Sequence, residues 1–323
     1  MSDSLLLVLT MIDATVRVAT PLVLAALAGL FSERSGIVDV GLEGKMLGAA
    51  FAAAAVAYVT GSPWLGLLAA VAAASALAMV HGLACITLNG NQVVSGMALN
   101  ILMAGLAPTL AFAWFSEGGQ TPLLGPGTRF APIALPLADT VARIPVLAEV
   151  YGRISGHNIL VYAAAVSVPL VAWIIYRTRF GLRLRAVGEN PSAVDTAGIV
   201  VGALRYRALL CNGALCGLAG AYLSIAHGSA FVRDMTAGKG YLALAALIFG
   251  KWRPLPTLFA CLLFAFTDAL QARLQGVALP LVGQVPVQAI QALPYLLTVL
   301  LLAGFVGRAM APKAIGVPYV KER

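Results

Sequence analysis

Charged side chains are the scarcest feature of this sequence: Asp, Glu, Lys and Arg make up 11% of its 323 residues, against about a quarter in an ordinary soluble domain. So little charge excludes a water-soluble globule and leaves too few basic groups for a nucleic-acid-binding face. Long polar stretches are missing as well, so no folded extramembrane domain fits between the apolar runs. No G-x-x-x-x-G-K-[ST] segment occurs, and the chain therefore supplies no P-loop for ATP. H-E-x-x-H and G-x-S-x-G are absent too, while His81, His157 and His227 stand apart without a carboxylate at ligand spacing. Catalysis and metal binding are disfavoured on this count, and the histidines read as packing or loop residues. Cys85, Cys211, Cys216 and Cys261 all sit in apolar runs and read as small buried hydrophobes, not as disulfide or metal partners.

What is abundant is apolar sequence, at 60% of residues and a mean hydropathy of +0.92. Runs of about 20 apolar residues are long enough to cross a hydrocarbon layer of about 30 Å, which predicts an all-α, polytopic membrane protein. It should have about 8–10 transmembrane helices with broken or re-entrant segments, and spans are expected at 14–31, 41–59, 63–88, 92–115, 158–176, 208–227, 255–273 and 286–306. A shorter apolar piece at 241–250 reaches only about 15 Å and predicts a half-helix buried among its neighbours. Basic residues set the orientation: Arg177, Arg179, Arg183, Arg185, Arg205 and Arg207 mark one cytoplasmic anchor, and Arg308, Lys313, Lys321 and Arg323 mark a second. An even number of crossings must separate the anchors, so the 241–250 piece counts as one, and counting back puts the N-terminus outside. The chain is a single transmembrane domain with a first helix group at 14–176, a cytoplasmic loop at 177–207 and a second group at 208–307. The Pro- and Gly-rich connection from Ser116 to Gly156 then faces outward, as a solvated loop or as a docking or lid element.

Two glycine-punctuated stretches interrupt apolar helices at comparable places in the two halves: Gly36-Ile-Val-Asp-Val-Gly-Leu-Glu-Gly44 and the segment from Gly238 to Gly250. Paired interruptions point to a transport pathway, because broken helices expose backbone polar groups and helix ends to a central cavity; close packing of small residues is the alternative. Ionisable residues inside spans usually face the bundle interior, which singles out Asp39, Glu43 and Asp268. Asp268 shares a helical face with Gln271 and Gln275; Gln284, Gln288 and Gln291 form another stripe, and Gln92, Ser95 and Asn100 lie on one span. Amides offer donors and acceptors without net charge, which suits a neutral polyhydroxylated or heterocyclic solute, although the same side chains could lock helices together. Between Arg179 and Gly198, Asn190 before Pro191 reads as a helix N-cap and Gly198 as a stop. A short amphipathic helix at 191–197 follows, either a plain linker or a lever that receives force from a soluble partner.

At these residues the chain resembles the integral-membrane permeases of bacterial ABC importers, in the branched-chain amino acid and simple sugar permease superfamily, and within it the purine-nucleoside branch. The stretches that carry the resemblance are Gly36 to Gly44, Asn91 to Asn100, Gly181 to Pro191 with Ala197-Gly-Ile199, and Ala237 to Trp252. It extends from about residue 34 to 307. The resemblance implies that Gly188, Glu189, Asn190, Ala193, Asp195 and Gly198 belong to a coupling helix that docks into a cytoplasmic ATPase. Asp39 stands where these permeases often carry Asn, and Lys239 where Arg is common, so a charge is added near the pathway at the first position and kept at the second. The implied partners are an ATPase chain that binds ATP and Mg, a paralogous second permease and an extracytoplasmic solute-binding protein. This chain itself would bind no cofactor or metal and catalyse nothing. It would work in the bacterial cytoplasmic membrane on nucleosides or related nucleobase compounds, with simple sugars or branched-chain amino acids as alternative cargo. An ion-coupled secondary transporter using Asp268 or Glu43 as a proton site, or a membrane scaffold, would be the competing classes.

Overall fold

The computed structural model describes residues 3–133, 155–274 and 310–321, with Tyr151 and scattered positions between 274 and 310. Its helices are α1 (Asp3–Arg34), α2 (Leu42–Thr60), α3 (Pro63–Gly82), α4 (Gln92–Phe115) and α5 (Ile159–Arg177), then α6 (Arg179–Glu189), α7 (Pro191–Thr196), α8 (Val201–Ala221), α9 (Lys239–Phe249) and α10 (Pro254–Leu274). Wider π turns continue α3 through Leu83–Thr87 and α8 through Tyr222–His227. A two-residue antiparallel ladder pairs Ala278–Leu279 with Gly283–Gln284. Among the described residues seven helices are long and apolar enough to cross a membrane, and α9, at 11 residues, is about 16 Å long, half a crossing. The protein is thus an all-α, multi-pass membrane protein. The expected span at 286–306 lies outside the described residues.

Two boundaries differ from expectation. α1 starts well before residue 14: Leu5 to Leu9 continue the apolar run, and the polar residues that follow are satisfied within the helix, Arg17 pairing with Asp13 at 3.1 Å and the Thr15 hydroxyl donating to the Met11 carbonyl at 2.7 Å. The stretch 177–207 is mostly helical. The Thr178 side chain accepts from the Gly181 amide and caps α6, Asn190 accepts from the Ala193 amide and caps α7, and α8 already begins at Val201.

α1, α2 and α8 form the centre, 72–78% buried over their apolar windows, while α3, α4, α5 and α10 surround them at 28–39%. The alanine-rich α2 lies between α3, α8 and α4, and α1 lies against α8, α9, α10 and α5. Small residues set the closeness of these contacts. On α8, a Cβ at Gly213 or Gly217 would come within 2.5 Å of the Ser75 or Val71 Cα on α3, so the two backbones touch along a small-xxx-small ridge.

The basic residues of α6 gather with the C-terminal end of α1, residues 250–253 and the segment 310–321 at one end of the bundle, its basic end. The beginning of α1 lies at the opposite end, where the Tyr222 hydroxyl donates to the Arg17 carbonyl at 2.9 Å. There the amides of Thr121, Leu124 and Phe130 donate to the carbonyls of Phe231, Ser229 and Ile225, laying the 121–130 segment over the C-terminal end of α8 and its continuation.

Candidate functional site

The two glycine-punctuated stretches meet inside the bundle. After α1 the chain turns back through residues 35–41 and starts α2 at Leu42, so Glu43 occupies the first turn of a helix that begins within the protein. Its carboxylate accepts the Gly238 amide at 2.8 Å and the Gly240 amide at 2.6 Å, the exposed N–H groups at the start of α9. One carboxylate therefore faces the starts of two helices and satisfies donors that would otherwise be unpaired. The far end of α9 is held by the same part of the chain. The Trp252 indole donates to Glu33 at 2.5 Å, and Arg34 donates to the Trp252 carbonyl through Nε at 2.9 Å and Nη2 at 2.6 Å.

Beside this junction lies a cavity of about 300 Å³, lined by Glu43, Gly44, Leu47, Asn100, Ile101, Ala104, Asp234, Thr236, Ala237, Gly238 and Tyr241. Asn100 organises its wall. Its Nδ2 donates to the Val40 carbonyl at 2.9 Å and to the Tyr241 hydroxyl at 2.8 Å, and its Oδ1 accepts the Gly44 amide at 2.8 Å. The cavity thus presents two carboxylates, Glu43 and Asp234, and the Tyr241 phenol that Asn100 holds, with aliphatic walls between them. Such a set hydrogen-bonds hydroxyl and N–H groups and disfavours anions.

Of the residues singled out from the sequence, Glu43 and Asn100 line this cavity. Asp39 does not: its side chain is fully buried, and Oδ2 accepts from Lys45 Nζ at 2.5 Å and from Asn212 Nδ2 at 2.7 Å. The charge attributed to Asp39 from the resemblance is therefore neutralised where it stands. Asn212 also accepts from Lys45 at 3.0 Å, and its Nδ2 reaches the Ser32 hydroxyl at 3.3 Å. Gln92 works as an anchor of the same turn, its Oε1 accepting the Val38 amide at 2.6 Å. His81 bridges the Ser95 hydroxyl at 3.0 Å and the Val38 carbonyl at 3.1 Å. Asp268 and Gln271 are half-buried on α10 and are not among the lining residues; Gln275, Gln288 and Gln291 lie outside the described residues. Lys45, Asn212 and Tyr241 were missed from the sequence. A lysine six residues after an aspartate in an otherwise apolar run was the available signal, since an intramembrane charge needs a partner.

At the basic end of the bundle α6 and α7 form a helical hairpin around a surface groove of about 560 Å³, lined by Leu182, Arg183, Ala186, Glu189, Asn190, Ala193, Val194, Ala197 and Ile199. Glu189, Asn190 and Ala193 are exposed on it. Gly188 instead points inward, where a Cβ would lie 2.3 Å from the Arg34 carbonyl oxygen. Asp195 is half-buried and pairs with Lys321 at 3.5 Å, and Gly198, at φ +80°, ends the hairpin.

A family described as branched-chain amino acid transport system, permease component, matches residues 11–306 of the chain. The sequence is similar to the guanosine ABC transporter permease of Bacillus subtilis (strain 168), with 38% identity over 320 residues that cover 97% of each protein. It is 36% identical to a putative glucose ABC transporter permease of Haloferax volcanii over 308 residues, 91% of this chain and 90% of the relative. To the nucleoside ABC transporter permease of Lactococcus lactis subsp. cremoris it is 35% identical over 312 residues, 94% of this chain and 95% of the relative.

Proposed function

Since the chain belongs to the family of branched-chain amino acid transport permease components, we propose that it is the membrane permease subunit of an ATP-driven importer for nucleosides or related nucleobase compounds. The observation that carries this reading is the meeting of two interrupted segments at Glu43, beside a cavity with a few polar groups on apolar walls, about half a crossing from the cytoplasmic end. Glu43, Asn100 and Tyr241 contact the solute there. A carboxylate suits the hydroxyls of a sugar ring and the N–H groups of a base, and it repels a phosphorylated solute.

ATP is hydrolysed by a separate cytoplasmic ATPase, which holds the nucleotide and Mg, and this chain is the transport component. The ATPase docks on the groove between α6 and α7, at Glu189, Asn190 and Ala193. A solute-binding protein delivers cargo to the opposite face, and a second, paralogous permease completes the pathway within a bacterial cytoplasmic membrane. Closure and reopening of the ATPases bias the helices between outward- and inward-open states, and they do so only through contacts that differ between those states.

A sugar is the second reading, supported by the relative named for glucose. Uptake of labelled guanosine, ribose, glucose and leucine by cells with and without the gene, each repeated under ATP depletion at constant membrane potential, separates the possibilities. Loss of nucleoside uptake that also disappears on ATP depletion supports the first reading. Loss of sugar uptake alone changes the cargo, and uptake that follows the ion gradient without ATP overturns the mechanism.

A further inference from the structure

The segment 312–317 lies between the α6–α7 hairpin and the turn that leads into the cavity, and it is bonded to both. The Ala314 amide donates to the Gly188 carbonyl at 2.8 Å, in the last turn of α6, and the Gly316 amide donates to the Gly36 carbonyl at 3.1 Å. Two donors only two residues apart thus bridge elements that are remote in sequence. Gly36 sits at φ +87°, and a Cβ there would lie 3.0 Å from both the Ala314 carbonyl oxygen and the Arg205 guanidinium; Gly316 sits at φ +77°. Arg205, 1% exposed, donates from Nε to the Ser35 carbonyl at 3.1 Å and holds the same turn from α8. From Gly36 the chain continues to Val40, whose carbonyl is bonded to Asn100 on the cavity wall.

We propose that residues 312–317 are a rigid strap that carries displacement of the α6–α7 hairpin to the cavity through the turn at 35–41. Ala314 and Gly316 are positioning residues: they touch no solute and act by holding the Val40 to Asn100 end of the turn in register with the hairpin. A short connection bonded at both ends, with Pro312 and Ala314 buried against the bundle, moves with its anchors, whereas a tail free of such bonds would absorb the motion. The proposal rests on the reading of α6–α7 as the ATPase-docking element.

The test uses the assembled importer, with its ATPase and binding protein, in proteoliposomes. One variant carries Gly-Ser-Gly-Ser inserted between Ile315 and Gly316, which separates the two anchors; a control carries the same insert after Val317, leaving both bonds intact. The strap predicts that the first insert leaves complex assembly and ATPase rate within about twofold but lowers solute moved per ATP by about tenfold or more, while the control stays coupled. Normal coupling in the first variant overturns the strap. So does a parallel loss of assembly, ATPase and uptake, which is what a merely structural role produces. Glu189→Arg reports on docking alone: retained ATPase binding there overturns the docking reading, and retained coupling in the insertion variant overturns only the strap.

Discussion

The Lys45 ammonium donates to the Asp39 carboxylate across 2.5 Å, and neither side chain has any exposed surface. Asp39 belongs to the turn that re-enters the bundle and Lys45 to the first turns of α2, so the pair fixes where α2 starts and thereby where Glu43 stands. Asn212 joins α8 to the same pair. The ion pair is a fixture of the turn, set apart from the cavity that Glu43 and Asn100 line.

Removing one partner leaves the other as a buried, uncompensated charge. Lys45→Met is expected to lower stability by about 3–5 kcal/mol, whereas the double change Asp39→Asn with Lys45→Met recovers most of that loss. Thermal unfolding of the detergent-solubilised permease measures both, and equal losses in the single and double variants would remove the pair from the account.

Glu43→Ala deprives the start of α9 of both acceptors, each charge-assisted bond being worth about 1.5–3 kcal/mol. Uptake should fall about tenfold or more at an unchanged amount of protein in the membrane, with Glu43→Gln intermediate because one acceptor remains. Transport assays paired with immunoblots decide, and wild-type uptake in Glu43→Ala would mean that α9 needs no anchor.

Tyr241→Phe removes one hydroxyl from the cavity wall without changing its shape. The expected effect is a rise of about fivefold in apparent KM, or about 1 kcal/mol, with little change in maximal rate. Asn100→Leu should be more severe and should also reduce folding yield, because it strands the Val40 carbonyl and the Gly44 amide. Identical kinetics in Tyr241→Phe would place the solute elsewhere.

At the end of the bundle opposite α6, burial holds the His157 imidazole below its ordinary value, against the opposing influence of Asp13 at 3.6 Å. The folded chain therefore binds fewer protons there than the unfolded chain. The His157 contribution to stability is complete above the unfolded value of 6.5 and shrinks as the pH falls below it. Between about pH 7.5 and 5.5 the apparent Tm should drop, and the drop should be smaller in His157→Gln. An equal drop in both proteins would assign the pH dependence to other groups.

Much of this architecture was legible in residue order, because spans and caps are local. A run of about 20 apolar residues has few alternatives to a spanning helix, and an 11-residue run such as α9 is too short for one. Asn190 before Pro191 announced the start of α7, since both the cap and the fixed φ act within one turn. Glu43 and Asn100 could be named as polar residues in the wrong solvent. Their partners could not be. Nothing in the local pattern joins Glu43 to the amides of Gly238 and Gly240, or Asp39 to Lys45 and Asn212.

The sequence by itself determined that the chain is a bundle of membrane helices, which end is basic, where two of its segments break and that a short helix starts at Pro191, because these properties depend on composition and short-range spacing. Only the tertiary structure decided that the two breaks face each other at Glu43, that Asp39 is spent on Lys45 while Asn100 opens onto a cavity, and that the 312–317 segment ties Gly188 to Gly36. Buried polar groups must be paired, but the pairing is chosen by how the helices pack, and that choice is made between residues far apart in the chain.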